Sequence, residues 1–251
     1  MGSIEEILEE FNEGKLDVES AKCKLMESFY ERSDEFFLDL QREERLGFPE
    51  VIYGQGKSFQ VLQKIVKRVI TEKNITFVSG LDDDKIEPLS DAFEDYYTKA
   101  AGDSLIIRNK SYSSSVFGEV GLITAGSSDV PYADSCSLLL EGLGIETQKS
   151  YDCGAAGVHR PYLSLTEMED VDLLIVFAGM EGILPALIGS LSKLPIIAVP
   201  TPVGYGHGGE GEGALSTMLQ SCVPGILVVN IGNYIGAAAG AVRILQTKEG
   251  K

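Results

Sequence analysis

Apolar residues first recur along the chain at helical spacing. Ile4, Ile7, Leu8 and Phe11 lie three to four positions apart, the spacing of one helix face. "NEGKLD" interrupts the pattern and "VESAKCKLMESFYERSDEFFLDLQREERLG" resumes it. The spacing predicts a helical arm over residues 1–46, charged and too poor in apolar surface for a core of its own, so that it must pack on the rest of the chain or on a neighbouring subunit.

Over residues 47–115 short apolar runs alternate with longer mixed ones: "EVIY", "FQVLQKIVKRVITE", "ITFVS", "KIEPLSDAFEDYY" and "SLIIRN". We read strand, helix, strand, helix, strand in one small α/β region. Over 116–251 the alternation sharpens. The runs "EVGLITA", "IETQKSYD", "VDLLIVFAG", "PIIAVPT" and "GILVVN" are separated by "VPYADSCSLLLEGLG", "LTEMEDV", "GILPALIGSL" and "GEGALSTMLQSC", and "IGAAAGAVRILQT" closes the chain. Apolar runs joined by helices specify βαβ units around a buried parallel sheet. The expected fold class is therefore α/β, a three-layer flavodoxin- or Rossmann-like core. In such folds the loops after the carboxyl ends of the strands carry ligands.

Those loops hold the unusual residues. "AGSSDVP" (Ala125–Pro131), "CGAAGVHRP" (Cys153–Pro161), "AGMEG" (Ala178–Gly182) and "TPVGYGHGGEGEG" (Thr201–Gly213) each follow a strand, so the topology gathers them on one sheet edge. Ser127, Ser128 and Asp129 suit a helix N-cap or an anion site at a helix start. His159 and Arg160 suit a structural role or the capture of a carboxylate or phosphate by a planar guanidinium. Glu181 suits either a favourable helix dipole or a general base. Gly204, Tyr205 and Gly206 open a G-x-G-x-x-G match, but the acidic residue expected about 20 positions on is missing, which excludes a standard dinucleotide fingerprint. Cys222 lies between a helix and Pro224-Gly225. Its local sequence fits a buried inert thiol, or a nucleophile if its pKa and access allow.

Bulk properties narrow the classes. The chain has 251 residues and a net charge of −17, a surface that repels nucleic acid. No apolar run approaches the ~18 residues of a membrane span, and no signal peptide or polybasic segment stands out. The four cysteines are far apart and never C-x-x-C, which argues against structural zinc and a disulfide framework. A soluble, cytoplasmic protein is expected.

Taken together, "AGSSDVP", "GAAGVHRP" and "AGMEGILP" resemble the aminoimidazole ribonucleotide carboxylase/mutase family of purine biosynthesis. The chain resembles more fully that family's relatives, the pyridinium-3,5-biscarboxylic acid mononucleotide synthases of nickel-pincer nucleotide biosynthesis. "REERLGFPEVIYGQGK", "TAGSSDVPYAD", "GVHR", "VFAGMEGILP", "AVPTPVGYG" and "MLQSCVPG" carry the likeness from about Asp39 onward. This resemblance implies carboxylation of nicotinic acid adenine dinucleotide at ring carbon 5 with CO2 or bicarbonate, and hydrolysis of its phosphoanhydride to release AMP. Cys222 would be the nucleophile and Glu181 the proton acceptor. Ser127, Ser128 and Asp129 would hold ribose and phosphate, with His159, Arg160, Gly179 and the Gly204–Gly206 loop around the substrate. The resemblance also implies Mg2+, with ligands unassigned, and a homo-octamer, for which the small-residue run Gly236–Val242 suits close helix packing. Two departures stand out: Gly232 replaces an aspartate usual after the last strand, and "TFVSGLDDD" lacks an arginine. Purine-type mutase activity and an inactive nucleotide-binding regulator are the alternatives.

Overall fold

The computed structural model describes residues 4–32, 36–39, 42–113 and 117–249. The expected boundary near residues 115 and 116 lies outside the described residues. At the N-terminus α1 (Ile4–Asn12) and α2 (Val18–Phe29) form a helical hairpin. Ile7 and Ala21 are buried, while Leu8, Phe11, Val18 and Met26 remain exposed. The arm is not helical throughout. β1 (Tyr30–Arg32) and β2 (Phe37–Asp39) pair antiparallel before α3 (Arg42–Leu46). Tyr30 in β1 and Phe37 in β2 favour extended backbone, and the pairing of these two strands overrides the helical spacing around them.

The small region carries β3 (Val51–Tyr53), α4 (Phe59–Lys73), β4 (Ile75–Ser79), α5 (Asp83–Asp91), β5 (Tyr97–Ala101) and β6 (Ser104–Arg108). Strand order is β3-β4-β6-β5; β3 and β4 are parallel and the rest antiparallel. Sequence reading missed β5. Its residues Tyr-Thr-Lys-Ala-Ala are half exposed on a sheet edge, so burial imposes no apolar alternation on them. α4 is capped by Ser58, whose Oγ accepts from Val61 N, and buries Leu62, Ile65, Val66, Val69 and Ile70 under the sheet.

The large region alternates β7 (Glu119–Thr124), α6 (Val130–Gly142), β8 (Glu146–Ser150), α7 (His159–Glu167), β9 (Leu173–Ala178), α8 (Leu184–Leu191), β10 (Ile196–Pro200), α9 (Glu212–Leu219), β11 (Ile226–Val228) and α10 (Tyr234–Glu249). All five strands are parallel in the order β11-β10-β9-β7-β8, the flavodoxin-like winding with its switch point between β7 and β9. Alternation along β9 feeds two cores: Leu173, Ile175 and Phe177 pack with α6 and α10, Leu174, Val176 and Ala178 with α8 and α9. Within the run Gly236–Val242, Ala237, Ala238 and Ala241 are fully buried against the chain's own core, while Gly236, Ala239 and Gly240 are only partly covered. Among the described residues no helix is long and apolar enough to cross a membrane.

Candidate functional site

At the carboxyl edge of the large sheet an open cleft of about 320 Å3 sits over the switch point. Its lining comes from the loops after β7, β8, β9 and β10: Gly126–Asp129, Asp152 and Gly154–Ala156, Gly179–Ile183, and Val203. Four strand-end loops thus converge, as parallel winding requires.

The loop after β7 presents Ser127 and Ser128 outward, both exposed, in a 3-10 turn that runs into α6. Asp129 points the other way and is 2% exposed. One carboxylate oxygen accepts from Gly126 N at 2.9 Å and the other from Thr201 Oγ1. Burial pushes its pKa up, against the lowering effect of these donors and of the Gly179 N–H. Asp129 therefore ties together the loops after β7, β9 and β10 and forms the cleft floor, with both oxygens already engaged by the chain. Thr201, fully buried at the end of β10, escaped sequence reading because its partner is 72 residues away.

Glu181 stands on a turn fixed at several points. Met180 N donates to Val203 O at 2.7 Å, and Gly182 N to Gly179 O at 2.9 Å. Met180 adopts φ 48°, strained for a side-chain-bearing residue. Gly179 is demanded by space: a Cβ there would stand 2.2 Å from Val203 O. The turn lifts Glu181 into the cleft, exposed and three residues ahead of α8. No hydrogen bond or ion pair engages its carboxylate among the described residues, so it is available to a ligand.

His159 and Arg160 open α7, which begins earlier than the sequence pattern suggests. His159 is exposed and outside the cleft lining. Arg160 reaches back to the rim, donating to Asp152 O at 3.0 Å and Asp152 Oδ2 at 3.1 Å. Both side chains are about half exposed or more, 49% and 63%, so this pair is weak and exchangeable for a ligand anion. Asp152 was not anticipated; its place directly after β8 was the available signal. Gly204, Tyr205 and Gly206 lie beyond Val203, outside the lining, with Tyr205 82% exposed. Gly232 adopts φ 67°, with its N–H on Pro200 O at 2.8 Å. That backbone favours glycine over aspartate.

Cys222 is exposed rather than buried. It precedes β11, whose Ile226 is level with Ile196 at the start of β10. The cleft loops leave the far ends of the strands. Cys222 therefore lies at the opposite sheet edge of its own chain, beyond the ~13 Å rise of a five-residue strand. Within one chain Cys222 and Glu181 thus stand at opposite sheet edges, because α9 must carry the chain back across the sheet before a parallel β11 can start. Among the described residues no three His, Cys, Asp or Glu side chains cluster to hold a metal.

Residues 30–109 match the LarB/PurE-like N-terminal domain and residues 119–251 the AIR carboxylase family. An uncharacterized protein of Methanocaldococcus jannaschii is 38% identical over 95% of this chain and 95% of its own length. The N5-carboxyaminoimidazole ribonucleotide mutase of Pyrococcus horikoshii is 31% identical over 51% of this chain and 73% of its own length. That of M. jannaschii is 31% identical over 51% and 79%.

Proposed function

Because the chain belongs to the AIR carboxylase family and carries a LarB/PurE-like N-terminal domain ahead of it, carboxylase/mutase-type chemistry is its general class, and we propose a specific reaction within it. The enzyme carboxylates the pyridinium ring of nicotinic acid adenine dinucleotide at carbon 5 and hydrolyses the phosphoanhydride. The products are pyridinium-3,5-biscarboxylic acid mononucleotide and AMP. The observation that carries this reading is the N-terminal domain. The mutases match only about half of this chain, whereas M. jannaschii has a relative over 95% of it besides its own mutase. Two such proteins in one organism favour two reactions.

A pyridinium carbon 5 is electron-poor and cannot attack CO2. Addition of the Cys222 thiolate to a neighbouring ring carbon forms an S–C bond and moves an electron pair onto the ring nitrogen, giving a neutral enamine. Carbon 5 then attacks CO2. Glu181, free and aimed into the cleft, accepts the carbon 5 proton, and the returning electron pair restores aromaticity and expels the thiolate. Water cleaves the phosphoanhydride. Ser127 and Ser128 suit ribose and phosphate, and Arg160, released from Asp152, suits a substrate anion.

The sheet separates Cys222 from Glu181, so the reaction needs a cysteine from a second copy. Exposed apolar residues support such an assembly. Leu219 and Leu227, 65% and 55% exposed, flank the cysteine turn, and Val158, Tyr162 and Leu163 are exposed on α7 and just before it. Two groups of exposed apolar residues of this kind are what contact between copies would cover. The homo-octamer is the assembly we propose.

Mass spectrometry after incubation with nicotinic acid adenine dinucleotide, bicarbonate and magnesium should show AMP and the dicarboxylated mononucleotide. Neither product appearing would sink the reading. The likeness of the core to the mutases favours carboxyaminoimidazole ribonucleotide as the alternative substrate, to be run in parallel. Inertness toward both would leave the nucleotide-binding regulator.

A further inference from the structure

A second crevice, of about 210 Å3, opens between the small sheet and the C-terminal end of α6, and shares no residue with the cleft. Pairing of Tyr97 with Arg108 and of Lys99 with Ile106 puts these four side chains on one sheet face. Leu138 and Glu141 stand opposite.

Charge inside the crevice is unbalanced. Glu141 Oε2 accepts from Lys99 Nζ at 2.7 Å, and its Oε1 accepts from Ser137 Oγ at 2.8 Å and Thr147 Oγ1 at 3.0 Å. Lys99 and Glu141 thus neutralise one another. Arg108 has no carboxylate partner among the described residues. One N–H donates to Tyr112 O at 2.6 Å, and the guanidinium lies 4.3 Å from the Tyr97 ring centre and 6.0 Å from that of Tyr112. Nor do the nearby helix-end carbonyls serve it: those of Leu139, Leu140 and Glu141 accept from Leu143, Ile145 and Gly144. In a chain of net charge −17, a half-buried guanidinium without a counter-ion calls for an explanation, because desolvating a charge costs free energy unless it is paired. The tyrosines fix its plane, and no other group among the described residues takes the rest of its N–H fork, which has the geometry that receives an oxyanion through two parallel bonds.

We propose that this crevice is an anion-binding site separate from the cleft, in which Arg108 takes the phosphate or carboxylate group of a small ligand. Ile106 and Leu138 meet the ligand's apolar part. The site joins the two sheet regions, so its occupant bridges them.

Selenate soaked into crystals of the wild-type chain and located by anomalous scattering tests the site directly. A peak within hydrogen-bond reach of Arg108 is expected. Selenate at the Ser128 cleft with none at Arg108 would overturn the proposal. Calorimetric titration of the full chain at constant ionic strength, with inorganic phosphate in one arm and benzoate in the other, decides which group the site prefers. Arg108→Gln should weaken the preferred anion at least about tenfold, and Arg108→Lys should weaken it less. Unchanged affinity in Arg108→Gln would equally refute the site. The soak needs no variant, so a poorly folding substitution does not blunt the test.

Discussion

At the carboxyl edge of the large sheet, the turn Ala178–Gly182 is held by Val203, by its own Gly182–Gly179 bond and by the closeness of Gly179 to Val203 O. At the amino edge, the turn Gln220–Gly225 has Ser221 Oγ accepting from Val223 N at 3.2 Å, and Cys222 and Gly225 open to solvent. Both turns carry a residue suited to the proposed chemistry, Glu181 on one and Cys222 on the other. The contrast teaches that, for the proposed reaction, one chain carries its two key residues on one fixed turn and one open turn at opposite sheet edges. A parallel sheet sends all its ligand loops to one edge, and whatever precedes a strand is left at the other.

Complementation would break that comparison most decisively. Cys222→Ala should abolish carboxylation, and Glu181→Gln should lower kcat by about 10²–10⁴-fold. Co-refolding the two inactive variants in equal amounts should restore up to about a quarter of wild-type activity if each site draws on two copies. No recovery, with intact oligomers by light scattering, would place both residues in one chain's site and refute the assembly argument.

Next in size is the fixed turn itself. Gly179→Ala forces a methyl onto Val203 O, and should cost about 1–3 kcal/mol in denaturant unfolding while displacing Glu181. The corresponding change at Gly225, where nothing lies within 4 Å, meets no clash, although its φ of 87° still strains a side chain. The two substitutions thus compare packing at one edge with backbone strain alone at the other.

Thr201→Val keeps the shape of the residue and removes the donor to buried Asp129. It should cost about 1–3 kcal/mol and raise KM more than it lowers stability, because the loops after β7, β9 and β10 lose their common tie. Thr201→Ser should recover both. Equal behaviour of Val and Ser would show that the hydroxyl is idle.

Much of this frame is legible in the amino-acid sequence alone. The strands β7, β9 and β10 are buried along nearly their whole length, so their sequences are continuous apolar runs that admit one reading. The convergence of Ser127, Ser128, Asp129 and Glu181 follows from topology alone. What is not legible depends on edges and on distance. β5 is half exposed and carries no apolar alternation, and the Asp129–Thr201 bond joins residues with no sequence relation. Cys222 is a different case: the family likeness suggests it as nucleophile, and the rule that a parallel strand is entered from its amino edge puts it across the sheet from Glu181 of its own chain.

The smallest effect expected concerns Asp129 and pH. Burial raises its pKa above the ordinary carboxylate value, so the folded state holds this proton more tightly than the unfolded chain does. Its contribution is complete below about pH 4, where both states are protonated. It is lost as pH rises through the folded pKa, when a buried carboxylate must ionise. Glu141 has the opposite shift, its pKa lowered by Lys99 and Ser137 despite burial, and its contribution is lost as pH falls. Wild type and Asp129→Asn share Glu141, so the difference between their unfolding free energies cancels it. That difference should move against the wild type as pH rises from about 4 toward 7. A flat difference would mean that the three donors around Asp129 fully offset its burial.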